Sequence, residues 1–168
     1  MRTRRQRYST RARGDPRGDP YRAVKTPPLI VSACLVGLDT RHDGRSSLCK
    51  AVLGLLKGHA FIPVCPEQLG GLPTPRPRAE IRECDGFEVM ARGSSVIDEN
   101  GGDVTGNFLK GASEVLRVAR LAGATTALLK ENSPSCGVST IKRKGRTVKG
   151  PGVTAALLMK EGLRVKGF

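Results

Sequence analysis

The stretch Thr125-Thr126-Ala127-Leu128-Leu129-Lys130-Glu131-Asn132-Ser133-Pro134-Ser135-Cys136-Gly137 decides the fold class. Residues 125–129 are a short apolar run of the kind a buried strand makes. Residues 130–137 then place a lysine, a carboxylate, an amide, hydroxyls and a thiol in one loop. Pro134 fixes φ and removes a backbone donor, and Gly137 frees the chain just past the thiol. A loop leaving a strand end with that cargo is where an α/β protein places chemistry. Taken alone, the loop reads equally as a polar turn that holds one incidental cysteine.

The flanking segments supply the rest of the pattern. Upstream, Thr105 reads as the N-cap of a helix over 105–122, with Phe108, Leu109, Ala112, Val115, Leu116, Ala119 and Leu121 on one face and Gly123 as its stop. Downstream, Pro151-Gly152-Val153-Thr154 leads into a helix over 155–160, closed by Gly162, and 163–165 reads as a last strand. Further upstream, 29–33 and 60–64 read as strands. Between them a helix begins at Ser46 or Ser47 and runs to Lys57, with Gly58 past its end. Pro63 puts the second strand near a sheet edge. The prolines and glycines of 66–77 predict a stiff loop with no regular structure. Residues 80–104 are turn-rich, with a β excursion at 88–90 and 95–97 and a turn at 100–102. The basic stretch 141–150 turns at Gly145. Strands alternating with helices predict an α/β fold: a single three-layer αβα (Rossmann-like) domain over 27–168 with a mainly parallel sheet.

The chain has 168 residues, of which 38% are hydrophobic and 26% charged, enough for one domain with its own core. Aromatics make up 4% and Trp is absent, which argues against a base-stacking platform for single-stranded nucleic acid. Half of the net charge of +14 falls in residues 1–26, which carry eight Arg and one Lys against two Asp and read as a disordered basic leader. Arg-Gly-Asp-Pro occurs there at 13–16 and 17–20, but no secretory h-region follows to support an adhesion role. The remaining charge suits a phosphate-bearing or nucleic-acid substrate as well as a merely soluble surface. No apolar run approaches a membrane span, so a cytoplasmic protein without a membrane partner is expected.

Cysteines occur at 34, 49, 65, 84 and 136, an odd count that argues against a disulfide framework. Cys34, Cys65 and Cys136 each lie just past the carboxyl end of an apolar run. In a parallel sheet those ends share one rim, and ligands bind at that rim. Cys49 falls on the expected first helix, and Cys84 has no such placement. Three rim thiols suit three kinds of chemistry. Zinc would take them with His42 or His59, although no Cys-x-x-Cys spacing supports it. A [4Fe–4S] cluster would keep one iron open to act as a Lewis acid on a soft substrate atom. A single nucleophilic cysteine among incidental ones is the third.

Several motifs together resemble one bacterial family. They are Ser-Ala-Cys-Leu-x-Gly at 32–37, Arg-His-Asp-Gly at 41–44 and Pro-Val-Cys-Pro-Glu-x-Leu-Gly-Gly-Leu-Pro-Thr-Pro-Arg at 63–76. Asp-Val-Thr at 103–105, Ser-Pro-Ser-Cys-Gly at 133–137 and Gly-Val-Thr-Ala-Ala-Leu-Leu at 152–158 complete the set. The family was long catalogued as a domain of unknown function, and some members are described as thiouracil desulfidases that convert 2-thiouracil to uracil with a [4Fe–4S] cluster held by three cysteines. The resemblance covers 29–166. It implies that Cys34, Cys65 and Cys136 hold the cluster and that Glu67 and Ser133 take part in catalysis. Two departures stand out. Thr40 and His42 replace a cysteine and a tyrosine frequent in the family. Lys142-Arg143-Lys144-Gly145-Arg146 replaces an aromatic, Gly-rich stretch, which favours a more anionic substrate.

These readings combine into one expectation and its rivals. The expected activity is iron–sulfur-dependent, non-redox desulfuration of a thiolated nucleobase such as 2-thiouracil, giving the oxo base and sulfide, by a monomer or homodimer. Glu67 either activates water or pairs with Arg76. Ser133, or Ser135, either orients the ring or bonds nearby backbone. Lys130 and Asn132 are candidate substrate contacts, with Glu80 and Asp43 behind them. One rival is a cluster- or zinc-bearing RNA-binding module that uses the leader and 142–149. The other is a sulfur carrier, which would need a nucleotide-activating phosphate loop that the sequence lacks.

Overall fold

Strand β1 (Leu29–Ser32) has no solvent-facing side, and the architecture follows from that. Strand β2 (Phe61–Val64) pairs parallel to it on one side and β5 (Thr126–Leu129) on the other. The computed structural model describes residues 26–168, so the basic leader over 1–26 lies, but for its last residue, outside the described residues. Strand β8 (Arg164–Gly167) completes a wholly parallel sheet of order β2-β1-β5-β8.

Alternate residues of the central strands face two different helix layers. Val31 and Leu128 pack with Val52 and Leu56 of α1 (Lys50–Leu56). Ile30, Ala127 and Leu129 pack on the opposite side, against Val115 and Ala119 of α4 (Thr105–Ala122) and Ala155 and Leu158 of α5 (Val153–Lys160). The result is the expected three-layer αβα arrangement. A second core forms beside the sheet. There β3 (Ala79–Ile81) pairs antiparallel with β4 (Val96–Asp98), and the ribbon of β6 (Thr140–Arg143) and β7 (Arg146–Lys149) covers it through Ile141.

Some local expectations fail for identifiable reasons. Helix α1 starts at Lys50, not at Ser46 or Ser47, because the chain first runs along the turn after β1. Ser47 N and Cys49 N donate to Cys34 O and Leu35 O there, and the Ser47 hydroxyl accepts from Arg41. Residues 66–77 are not wholly irregular, since Pro66–Leu69 forms a short helix, α2, with its proline at the first turn. The segment 88–90 is helical, not extended: it belongs to α3 (Gly86–Met90), whose Asp85 cap accepts from Phe87 N at 2.9 Å. The partner of β4 is β3. Thr105 is not the N-cap of α4; Val104 is, and the Thr105 hydroxyl accepts from Val96 N while Asp103 accepts from Thr105 N. Helix α5 begins two residues before the expected 155, at Val153. The turn at Gly145 is present, with Lys144 and Gly145 at φ of 49° and 72°, the left-handed pair a two-residue hairpin needs.

Helices α2 and α4 touch backbone to backbone. A Cβ on Gly111 would sit 2.0 Å from Pro66 O, and Asn107 Nδ2 donates to Gly70 O at 3.0 Å. Gly111→Ala must therefore push α2 away. Chemical denaturation should show a loss of about 1–3 kcal/mol, the usual cost of overpacking; a variant as stable as wild type would contradict this contact.

Candidate active site

The chain leaves the adjacent strands β1 and β5 in opposite directions. From β1 it crosses to β2 by way of α1 on one face; from β5 it crosses to β8 by way of α5 on the other. Such a topological switch opens a crevice at the carboxyl ends of the two strands. A cavity of about 370 Å³ lies there. Cys34, Cys65 and Cys136 all line it, with Glu67, Arg76, His42 and Ser133.

Each thiol is positioned by different means. Cys34 sits in a 3-10 turn (Ala33–Val36) closed by Gly37 at φ 98°. Cys65 follows β2 directly and precedes Pro66, and its Sγ lies 3.5 Å from Thr40 O. Cys136 rides on the 130–139 loop, which is fastened at several points. The Glu131 carboxylate accepts from the backbone N–H groups of Val138, Ser139 and Thr140 and from the Thr140 hydroxyl, at 3.0–3.3 Å. Ser133 Oγ accepts from Ser135 N at 3.2 Å and Cys136 N at 3.0 Å. Val153 N and Thr154 N, at the start of α5, donate to Pro134 O and Ser135 O. Gly137 is small because a Cβ there would sit 2.2 Å from Thr140 O.

The electrostatics tie the three thiols together. Burial pushes the Cys34 thiol up, and the nearby Cys65 pushes it further, while Lys130 and Arg41 pull it back. Burial also raises Cys136 far above the usual thiol range, opposed by the Ser32 hydroxyl and reinforced by Cys34, Cys65 and Glu67. All three are free thiols. Among the described residues no three thiol, imidazole or carboxylate groups surround a point that one metal ion would occupy.

Of the two roles foreseen for each of Glu67 and Ser133, the structure shows the pairing with Arg76 and the bonding of nearby backbone. Glu67 Oε2 accepts from Arg76 Nε at 2.6 Å, and the two side chains are only 16% and 3% exposed. Ser133 Oγ takes two backbone donors, so it acts there as an acceptor and its own proton remains available. Ser135 is excluded as a catalytic alternative. It is fully buried, and its hydroxyl bonds Thr154 Oγ1 at 2.9 Å. Lys130 and Asn132 line the cavity; Asp43 pairs with Arg41, and Glu80, outside the cavity lining, pairs with Arg78. Cys49, Cys84 and His59 lie apart from it. Lys142 reaches the cavity wall from β6. Sequence reading foresaw Arg76 as a partner of Glu67 but missed the structural weight of Glu131 and Ser32, polar residues half-buried or buried beside the thiols. Only Arg76 gave a signal, through its place at the end of the 63–76 motif.

The fold and site define a Rossmann-like α/β protein with three thiols, a carboxylate and a hydroxyl around a cavity at the strand switch point. A model of the 2-thiouracil desulfurase family matches residues 29–167, and the chain belongs to that family. It is 38% identical over 140 residues to the uncharacterized protein YbbK of Bacillus subtilis strain 168, covering 82% of this chain and 93% of that one. Among solved structures it resembles the [4Fe–4S]-dependent thiouracil desulfidase TudS at 40% identity, with a TM-score of 0.73 over 84% of this chain and 91% of the other.

Glu131 is the staple of the cysteine loop. Glu131→Gln keeps its size but loses the charge that strengthens those bonds. Stability to urea should fall by about 1–3 kcal/mol. An unchanged midpoint would show that the loop is held by other means.

Proposed function

We propose that the protein removes sulfur from a thiolated nucleobase such as 2-thiouracil, exchanging C=S for C=O with water and releasing sulfide without net redox change. The observation that carries this reading is the meeting of three free thiols, Glu67 and Ser133 on one cavity in a chain of this family. Cys34, Cys65 and Cys136 would hold a [4Fe–4S] cluster. The donor set fits: three soft thiols, partly screened from water, with Lys130, Arg41 and Arg76 nearby to balance anionic charge. With only three protein ligands, such a cluster supplies an iron with Lewis acidity toward a soft sulfur atom.

The protein's own groups do the rest. Arg76 holds one oxygen of Glu67, leaving Oε1 to take a proton from the attacking water. Ser133, anchored by two backbone N–H groups, directs its hydroxyl proton to a ring heteroatom. Arg41, Arg78, Lys130 and Lys142 give the wall a cationic character that favours an anionic substrate.

Anaerobic purification with iron and sulfide analysis, followed by a 2-thiouracil assay, tests the reading. Wild-type protein should carry iron and release sulfide. Cys136→Ala should lose the iron and Cys49→Ala should keep it. Iron-free protein under strict anaerobiosis would overturn the proposal, and salt-dependent RNA binding without sulfide release would favour the RNA-binding alternative. Glu67→Gln and Ser133→Ala should keep iron and lose about 10²–10⁴-fold in kcat. Full activity in either would remove that residue from the mechanism.

A further inference from the structure

Arg76 is the most committed polar side chain of the cavity. It follows the proline-braced loop, yet its side chain is only 3% exposed. Nε donates to Glu67 Oε2 at 2.6 Å. Nη1 donates to Pro73 O at 3.1 Å and Thr74 Oγ1 at 3.0 Å. Nη2 donates to Thr40 O at 3.1 Å and reaches Cys65 Sγ at 3.8 Å. Every N–H a guanidinium owns is thereby engaged. Arg76 N in turn donates to His42 O at 2.8 Å, which fixes the residue from its backbone as well.

This commitment decides what Arg76 does. With no donor left over, it is not the group that grips a substrate. Its fork instead spans two side chains that the proposed reaction uses in different ways, a carboxylate and a thiol. We propose that Arg76 is a positioning residue that couples Glu67 to Cys65, a role that rests on the function proposed above. One rigid plane sets where the carboxylate points and also places a cationic donor on the sulfur. Lysine cannot do both, because its ammonium is a point charge without the planar fork. A hydrogen bond or positive charge at a ligating sulfur favours the reduced, more negative state of a cluster and so raises its reduction potential. Glu67 draws on the same guanidinium, so it tempers that effect.

The test uses the reconstituted protein and two readouts: the cluster's reduction potential, from an EPR-monitored titration, and separate kcat and KM values. Arg76→Lys should retain iron, lose about 10–100-fold in kcat with KM little changed, and move the potential to more negative values. Glu67→Gln should move the potential the opposite way. In the double variant the two shifts should not sum, because both act through one fork. Thr74→Ala removes one acceptor from Arg76 without touching Glu67 or Cys65, and it should leave the potential in place, which separates coupling from loose packing. A wild-type potential in Arg76→Lys, additive shifts in the double variant, or a loss carried wholly by KM would overturn the coupling. If Arg76→Lys fails to fold, the sign of the Glu67→Gln shift decides instead. Wild-type protein that takes up no iron overturns this role together with the reading beneath it; loaded, active wild type with an unmoved potential in the variants overturns this role alone.

Discussion

The first turn of α5 has backbone donors with no carbonyl of their own helix to meet. In this fold the loop that carries Cys136 meets them: Pro134 O and Ser135 O accept from Val153 N and Thr154 N. That contact does two jobs at once. It caps a helix that lacks a side-chain cap, and it pins the loop at the open end of the sheet. The buried hydroxyl pair of Ser135 and Thr154 repeats the attachment in side chains. The site can therefore hold a buried thiol on a loop without that loop being soft.

A different logic governs the opposite wall. Glu67 and Arg76 form a largely buried ion pair, and such pairs add little net stability because desolvation offsets attraction. Their value lies in fixed direction. Breaking one partner leaves a charge stranded, so the pair is hard to change piecemeal. Between the two walls sit Cys34 and Cys136, whose burial disfavours their charged form; Lys130 and Arg41 offset this at Cys34, and the Ser32 hydroxyl at Cys136.

Much of this was legible beforehand because it rests on pattern rather than packing. Apolar runs located all four parallel strands to within about two residues, and Pro63 placed β2 at an edge. Parallel strands put their carboxyl ends together, so the convergence of Cys34, Cys65 and Cys136 followed from topology alone. The failures were local contests settled by tertiary contacts. Ser47 carried the signature of a helix cap but was taken by Arg41. Residues 88–90 were read as a β excursion in a turn-rich stretch without weighing Asp85 and Glu88, which together signal a helix start. The resemblance singled out Ser133, but the residues themselves left Ser135 open as an alternative. Only the fold turns one into the core and the other toward the cavity. The reach of Glu131 across its loop had no sequence signature.

The sheet's two margins carry one more implication. Among the described residues no strand pairs with the outer edge of β2 or β8, and such edges are the feature through which copies of a protein add to one another as growing ribbons. The β2 margin carries Pro63, which cannot offer an N–H to an incoming strand. The β8 margin presents Arg164 and Lys166, exposed charges that a second identical strand would have to face. A sheet of only four strands could extend indefinitely from such margins. Here each margin ends it, one by a missing donor and the other by like charge.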